Sequence, residues 1–183
     1  MSRNLVRGFT LIELLVTIAI AAVLAGLAAP SFREAMANNR LKSHISALQT
    51  SLTLARSEAI KRKARVVVCK SADQANCTTT GDWQQGWIVF VDGNDSASVD
   101  PGEALIQKVE ALSGSFILRA GGNLTDYVSY TGTGAAKLKA SDTDQVGTFV
   151  LCQPAGGNAR QLDLFVTGRL SLGTLPVSTC TAS

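Results

Sequence analysis

The stretch Arg7-Gly8-Phe9-Thr10-Leu11-Ile12-Glu13-Leu14-Leu15 is followed by apolar sequence as far as Ala29. Between Phe9 and Ala29, the only ionisable side chain is that of Glu13. A helix of these 21 residues, at about 1.5 Å per residue, is roughly 31 Å long, close to the thickness of a bilayer's hydrocarbon core. A carboxylate inside such a span costs a few kcal/mol, roughly 3 at the centre and less near an end. The sequence therefore predicts a membrane-spanning helix in which Glu13 has a function and a partner charge.

The partner of Glu13 is not supplied by its own helix, but a cut between Gly8 and Phe9 would create a free amine one helical turn away. The short basic leader and Gly8-Phe9-Thr10-Leu11-Ile12-Glu13 resemble the class III signal of type IV prepilins and pseudopilins. This resemblance implies that a prepilin peptidase in the inner membrane cuts after Gly8 and methylates the amine of Phe9. It also implies that Glu13 helps each subunit to dock into a filament with other pilins.

Two simpler interpretations of the N-terminus remain as alternatives. A secretory signal peptide also begins with basic residues, here Arg3 and Arg7, and Gly26-Leu27-Ala28 would serve as its cleavage site. Such a peptide normally has a shorter apolar core without a carboxylate. A plain membrane anchor is the second alternative. The basic residues before the span predict a cytoplasmic N-terminus, which puts everything after Ala29 in the periplasm.

The net charge and the cysteine content bear on the partners and the cross-links of the domain that follows the helix. The formal charge of +3 includes Arg3 and Arg7 of the leader, so the processed chain is close to neutral and its charge names no partner. Four cysteines in an exported domain predict two disulfides, and of the three possible pairings we predict the sequential one, Cys69–Cys77 and Cys152–Cys180. A zinc site is not expected, because there is no C-x-x-C and His44 is the only histidine.

The helix is predicted to continue past Ala29, where the sequence changes from uniformly apolar to amphipathic. Pro30 should kink it or open its hydrogen bonds locally, and apolar residues then recur at alternating steps of four and three as far as about Arg62. A helix from Phe9 to Arg62 would be roughly 80 Å long, too long for a compact domain of this size. The predicted divisions are therefore a leader over 1–8, a transmembrane or filament-core helix over 9–29, an amphipathic half over 30–63, and a periplasmic β-rich domain over 64–183.

From Ala64 onwards the sequence alternates with a period of two and is rich in β-branched residues. Turn-forming sequences containing glycine and asparagine separate the apolar runs. The predicted fold class is α+β, one long N-terminal helix packed on antiparallel sheet. The eight predicted strands span 65–69, 87–91, 104–109, 115–119, 127–131, 147–153, 160–166 and 169–172.

Three segments resemble the GspH/FimT family of minor pilins and pseudopilins: Gly86-Trp87-Ile88-Val89-Phe90-Val91-Asp92-Gly93-Asn94, Asp100-Pro101-Gly102-Glu103-Ala104-Leu105-Ile106, and the helix end Leu54-Ala55-Arg56-Ser57-Glu58-Ala59. The resemblance implies a pilin-like fold and a minor pilin that primes or caps type IV pilus assembly, without enzymatic activity or a cofactor. A pseudopilin of a type II secretion system is the alternative. A minor pilin that binds DNA for uptake is a further alternative.

The DNA-binding alternative depends on basic residues in two regions. Cations in the last turn of a helix also complement its dipole and stay solvated, which is the simpler explanation for the first region. Some family members resemble DNA receptors that carry a basic Gly-Arg-x-Arg element, whereas Gly168-Arg169-Leu170-Ser171 lacks the second arginine. The candidate residues are Lys61, Arg62, Lys63 and Arg65 at the helix end, together with Arg160 and Arg169.

A second candidate ligand is calcium. Asp92, Asn94, Ser96, Ser98, Asp100 and Glu103 have the ligand spacing of an EF-hand loop. However, Ala97 occupies the position at which that loop needs glycine, and the flanking segments are predicted strands. We therefore predict an acidic hairpin loop, with calcium bound by Asp92, Asn94, Asp100 and Glu103 as the alternative. Trp83 and Trp87 are predicted to anchor the core.

Overall fold

A computed structural model of the chain describes residues 9–139, 141, 143–153, 158–175 and 180. The chain divides into two compact units, Met1–Asn39 and Arg40–Ser183. The predicted leader over 1–8, including Gly8, lies outside the described residues.

A single helix, α1 (Leu11–Arg62), accounts for the described N-terminal part of the chain. It is long and apolar enough to cross a membrane, and its most apolar window of 18 residues is entirely exposed. The large apolar side chains from Phe9 to Leu27 are 49–77% exposed. Such a surface needs lipid or other helices to cover it. The helix continues through residue 30 without a break. The kink at Pro30 stays a prediction.

The second half of α1 buries the apolar stripe that the sequence predicts. Each residue of the stripe is at most 1% exposed and packs into one core together with residues of both sheets, such as Val68 and Phe149. Between Lys42 and Glu58 most residues on the other faces are polar, so this part of the helix is amphipathic as predicted. The stripe consists of Leu41, Ile45, Leu48, Leu52, Ala55 and Ala59.

In the part of the chain that the structure describes, eight antiparallel strands form two four-stranded sheets, in the orders β3-β2-β1-β5 and β4-β6-β7-β8. The α+β class is confirmed, and a strand forms near each of the eight predicted positions. The division into two sheets does not follow from the sequence pattern. The bounds are β1 (Arg65–Lys70), β2 (Trp87–Asp92), β3 (Leu105–Val109), β4 (Ile117–Ala120), β5 (Tyr127–Tyr130), β6 (Gly147–Cys152), β7 (Ala159–Leu164) and β8 (Leu170–Leu175), with a short 3₁₀ helix at Trp83–Gln85.

Two glutamine side chains close one edge of each sheet. At the edge of the second sheet, Gln84 Oε1 accepts a hydrogen bond of 3.1 Å from the backbone N–H of Leu118 in β4. At the edge of the first sheet, Gln145 is fully buried, and its Oε1 accepts a bond of 2.8 Å from the N–H of Ser129 in β5. These side chains satisfy strand amides that would otherwise lack partners.

Both tryptophans anchor the core, as predicted. The indole N–H of Trp83 donates to the carbonyl oxygens of Leu124 and Thr125 at 3.2 and 3.1 Å. The indole N–H of Trp87 donates to Ser51 Oγ of α1 at 3.0 Å. Each buried ring therefore has its polar atom satisfied while its apolar surface packs in the core.

Arg56 ties α1 to two distant loops. Its Nε donates to the carbonyl oxygen of Gly134 at 3.0 Å, and its Nη2 donates to that of Thr167 at 2.9 Å. The loops meet closely because Gly134 and Gly168 lack side chains: a Cβ on Gly168 would lie 2.1 Å from the carbonyl oxygen of Gly134. Gly168 also has a φ of +74°, which side chains other than glycine rarely adopt.

Candidate functional site

The start of α1 is capped by Thr10. The backbone N–H of Glu13 donates to Thr10 Oγ1 at 3.3 Å, and the N–H of Leu14 donates to the Thr10 carbonyl oxygen at 3.2 Å. The first bond satisfies one of the amides that every helix start leaves without helical partners, and the second is the first backbone bond of the helix itself. Thr10 is not among the residues predicted from the sequence, although Thr10-Leu11-Ile12-Glu13 has the spacing of a capping box and could have indicated it.

Glu13 lies in the first turn of α1, where the positive end of the helix dipole favours a carboxylate. Its neighbours along the helix are exposed apolar side chains, such as those of Ile12 and Leu14 at 67% and 55%. Phe9, whose amine cleavage would free, precedes the helix and is 77% exposed. The arrangement places one anion near the start of an apolar surface, where a cation from the N-terminus of the same or another chain could pair with it.

The two disulfides of the sequential pairing form in the second unit. Cys69 bonds to Cys77 across a sequence separation of 8 residues, and Cys152 bonds to Cys180 across 28. The first bond joins strand β1 to the loop over 71–82. Within that loop, Asp73 accepts hydrogen bonds from the backbone N–H groups of Ala75 and Asn76 at 2.9 and 2.8 Å. The side chain of Asn76, together with these amides, holds the pKa of Asp73 well below its usual range.

The same loop is also held by Lys70, which was not predicted from the sequence. The Lys70 side chain is 2% exposed, and its Nζ lies 2.9 Å from Asp126 Oδ1. It also donates to the carbonyl oxygens of Gly81 and Thr79 at 2.8 and 3.4 Å. Asp126 lies outside the loop, so the loop is held covalently through Cys69 and by the two hydrogen bonds that Lys70 donates to its backbone. A lysine within a hydrophobic strand was the only signal in the sequence.

Removing the first disulfide should measure the contribution of the covalent fastening. Replacing Cys69 and Cys77 together with serine should lower the free energy of unfolding by roughly 2.6 kcal/mol, because the loop is no longer closed in the unfolded chain. The same change at Cys152 and Cys180 should cost roughly 3.6 kcal/mol for the longer loop. Urea unfolding of the chain lacking residues 1–32 gives both values. A loss below about 0.5 kcal/mol at the first bond would mean that Lys70 alone holds the loop.

Lys61, Arg62 and Arg65 at the helix end form ion pairs within the fold. Arg62 Nε lies 2.6 Å from Glu58 Oε2, and Lys61 Nζ lies 3.5 Å from Glu58 Oε1. Lys63, with a φ of +53°, ends the helix. Arg65 is largely buried, pairs with Asp95, and donates to the carbonyl oxygens of Lys137 and Leu138.

Arg160, one of the two C-terminal candidates, lies apart from the residues of the helix end. It lies in β7 and lines a groove with Ile45 of α1, which is roughly 25 Å along the helix from Arg62. The guanidinium of the other candidate, Arg169, lies over the ring of Phe165, with its carbon 5.4 Å from the ring centroid. The structure therefore separates Arg160 from the candidates at the helix end and uses Arg65 internally.

The acidic segment after β2 is a hairpin loop held by its own carboxylates. Asp92 is 2% exposed and accepts bonds from the backbone N–H groups of Ser96 and Ala97 at 3.0 and 2.9 Å. Glu103 accepts from the N–H groups of Gly93 and Asp100 at 2.8 and 3.0 Å. Ala97 takes the left-handed conformation, with a φ of +53°, that glycine usually provides.

Asp100, a third carboxylate of this loop, also accepts hydrogen bonds from within it, and calcium binding stays the alternative prediction. Asp100 Oδ2 accepts from Asn94 Nδ2 at 2.9 Å and from Ser96 Oγ at 2.7 Å, which holds its pKa below the usual value. Among the residues that the structure describes, no group of three or more histidine, cysteine, aspartate or glutamate side chains is placed to hold a metal ion.

Two protein families match the sequence. Residues 44–168, more than half of the chain, match the family described as type II transport protein GspH. Residues 3–29 match the prokaryotic N-terminal methylation motif, which includes Gly8, Phe9 and Glu13.

Known proteins and structures are similar to the chain over different ranges. The pilin-like protein PilA1 of Thermus thermophilus is 39% identical over 99 residues, 53% of this chain and 55% of that protein, so the chain spans just over half of that relative. The type IV minor pilin FimU of Pseudomonas aeruginosa, at 22% identity, superposes with a TM-score of 0.56 over 77% of this chain and 92% of FimU. A second crystal form of FimU gives 0.54 over 75% and 94%. At that identity the likeness to FimU shows the fold alone. From the match over 44–168 we conclude that the chain belongs to the GspH family.

Proposed function

We propose that this protein is a minor pilin that primes or caps the assembly of a type IV pilus. The observation that carries the proposal is the exposed apolar segment of α1 as far as Ala29, which is interrupted only by Glu13 and lies within the match to the N-terminal methylation motif. An apolar surface of this length requires lipid before assembly and other helices after it. The pilin-like name of PilA1 and the minor-pilin fold of FimU support the same role.

Each part of the chain has a role in this proposed function. A prepilin peptidase cuts after Gly8 and methylates Phe9, and the helix over 9–29 anchors the product in the inner membrane. The basic residues before the span keep the N-terminus in the cytoplasm, and the disulfide-bonded domain lies in the periplasm. During assembly, the helix leaves the lipid and packs against helices of other pilins, with Glu13 as an assembly contact. The family and the fold are those of structural proteins, and the role proposed is not catalytic.

A pseudopilin of a type II secretion system is the second candidate. It is favoured by the description of the matching family as a type II transport protein. Both candidates use the same helix and the same processing, so the residues of the chain do not distinguish the machines. DNA uptake receives less support, because Lys61, Arg62 and Arg65 are paired within the fold.

A deletion strain separates the two candidates. If the protein is a minor pilin, we expect loss of twitching and of sheared pili with unchanged secretion of type II substrates, and restoration by the parent chain. Loss of secretion with normal twitching would contradict the proposal and favour the pseudopilin.

In the same strain, a Gly8→Val variant should accumulate as the longer precursor, seen by mass spectrometry of the membrane fraction, and should not restore twitching.

A further inference from the structure

The four sheet edges are protected to different degrees. Gln84 and Gln145 close the edges at β4 and β5, and β3 carries the exposed charge of Lys108. Strand β8 reads Leu-Ser-Leu-Gly-Thr-Leu, with no charge and no proline, and pairs only with β7 among the described residues. Charges, prolines and covering side chains are the usual means of preventing an edge strand from pairing with another chain. None of them protects β8 among the residues that the structure describes, which marks this edge as one that can accept a strand.

A basic groove with an apolar floor runs beside this edge. It has a volume of about 240 Å³ and is lined by Lys42, Ile45 and Ser46 of α1, Arg160 of β7 and Leu172 of β8. Leu172 is 45% exposed, although it lies in the middle of a strand, and Ile45 is buried beneath it. Within the described part of the chain, neither Lys42 nor Arg160 has a carboxylate within 4.0 Å.

From these features we infer that β8 is a docking edge for an extended acidic segment of another protein. The incoming strand pairs with the free backbone groups of β8, which supplies affinity without regard to sequence. Since side chains alternate along a strand, one face of the added strand meets the groove. An apolar residue on that face covers Leu172, and a carboxylate on the same face pairs with Arg160 and Lys42.

The charges favour this occupant over two others. A second copy of this chain, paired through its own β8, would bring no carboxylate from that strand to the groove. DNA would find two cations above an apolar floor, whereas phosphate recognition relies on many basic contacts. The inference does not depend on the proposed pilus role, because strand binding can be measured in the absence of a filament.

The test uses the full chain in a nonionic detergent and two fluorescein-labelled peptides. Each peptide has six residues, the length of β8, in the order Val-Val-X-X-Val-Val, where X is glutamate in one peptide and lysine in the other, so that both faces carry apolar and charged side chains. Fluorescence anisotropy should show that the glutamate peptide binds and the lysine peptide does not. Leu172→Glu, which adds to the edge a charge of the same sign as the peptide, should weaken binding of the glutamate peptide at least about tenfold. Leu105→Glu on the edge of β3 is the matched control, since Leu105 is 36% exposed, and should leave binding unchanged.

A charge reversal distinguishes recognition from a loss of folding. Replacing Arg160 and Lys42 together with glutamate should reverse the preference, so that the lysine peptide binds and the glutamate peptide does not. Equal binding of the two peptides by the parent chain, or equal effects of Leu172→Glu and Leu105→Glu, would overturn the inference. Displacement of the glutamate peptide by a DNA oligonucleotide would overturn the inference in favour of DNA. Displacement by added unlabelled full chain would overturn it in favour of a second copy.

Discussion

Replacing Glu13 with valine should leave the chain in the membrane and remove it from filaments. With Gly8 cut away, the amine of Phe9 is a cation at the edge of the bilayer, and Glu13 is an anion about one turn deeper. Each is costly alone in an apolar medium, by up to roughly 3 kcal/mol, and pairing them lowers that cost. Only a pair formed between subunits favours assembly. We therefore expect Glu13→Val to insert and to be cleaved like the parent. Its amount in filaments should be at least about tenfold lower than that of the parent.

Thr17→Val is the matched control for this prediction. Thr17 lies one turn beyond Glu13 in the same exposed segment, and its hydroxyl donates to the carbonyl oxygen of Leu14 at 2.8 Å within the helix. The change makes the span more apolar, as Glu13→Val does, but keeps the carboxylate. Processing is measured by the mass of the membrane form, and incorporation by immunoblotting of sheared filaments. If Glu13→Val enters filaments as well as Thr17→Val does, the carboxylate is not an assembly contact.

Replacing Gly168 with alanine should cause a large loss of stability for the addition of a single methyl group. The new Cβ would lie 2.1 Å from the carbonyl oxygen of Gly134 and 3.1 Å from Arg56 Nε. Relief of that overlap must move a loop away from Arg56, which holds both loops to α1. The left-handed φ adds about 1–2 kcal/mol, and overpacking adds about 1–3 kcal/mol. We expect a total loss of about 4 kcal/mol in urea unfolding.

Two other glycines separate the causes of that loss. Gly102 has a φ of +92°, and a Cβ added to it would meet no atom within 4 Å, so Gly102→Ala should show the backbone cost alone, about 1–2 kcal/mol. Gly173 lies in β8, and its added Cβ would meet Gln161 Cβ at 3.8 Å, an ordinary contact. Gly173→Ala should therefore change stability by less than about 1 kcal/mol. If all three variants lose the same amount, close packing of the loops around Arg56 does not contribute.

Features that depend on local sequence could be predicted. The stripe from Leu41 to Ala59 repeats with the period of a helix, and that period is enough to identify its buried face. The strands follow for the same reason, because Val66, Val67 and Val68 and the other β-branched runs are bounded by turn residues. The Cys69–Cys77 bond joins residues close in sequence.

Features that join distant segments could not be predicted. Lys70 pairs with Asp126, and Gln145 reaches the amide of Ser129, only because the strands that carry them are brought together by the fold. Arg56 bonds to Thr167 across 111 residues. The burial of a lysine or a glutamine costs free energy unless such partners are present, and the sequence does not show the partners. The arrangement of two sheets around one helix has the same origin.

The Thr10 cap has a consequence for the chemistry of maturation. The helix starts at Leu11, and both bonds that stabilise its start come from Thr10, which stays in the chain after a cut behind Gly8. Cleavage at that site would therefore remove the arginines of the leader and free the amine of Phe9 while keeping both of these bonds. The peptidase would change the charge next to the helix start and leave the Thr10 cap in place.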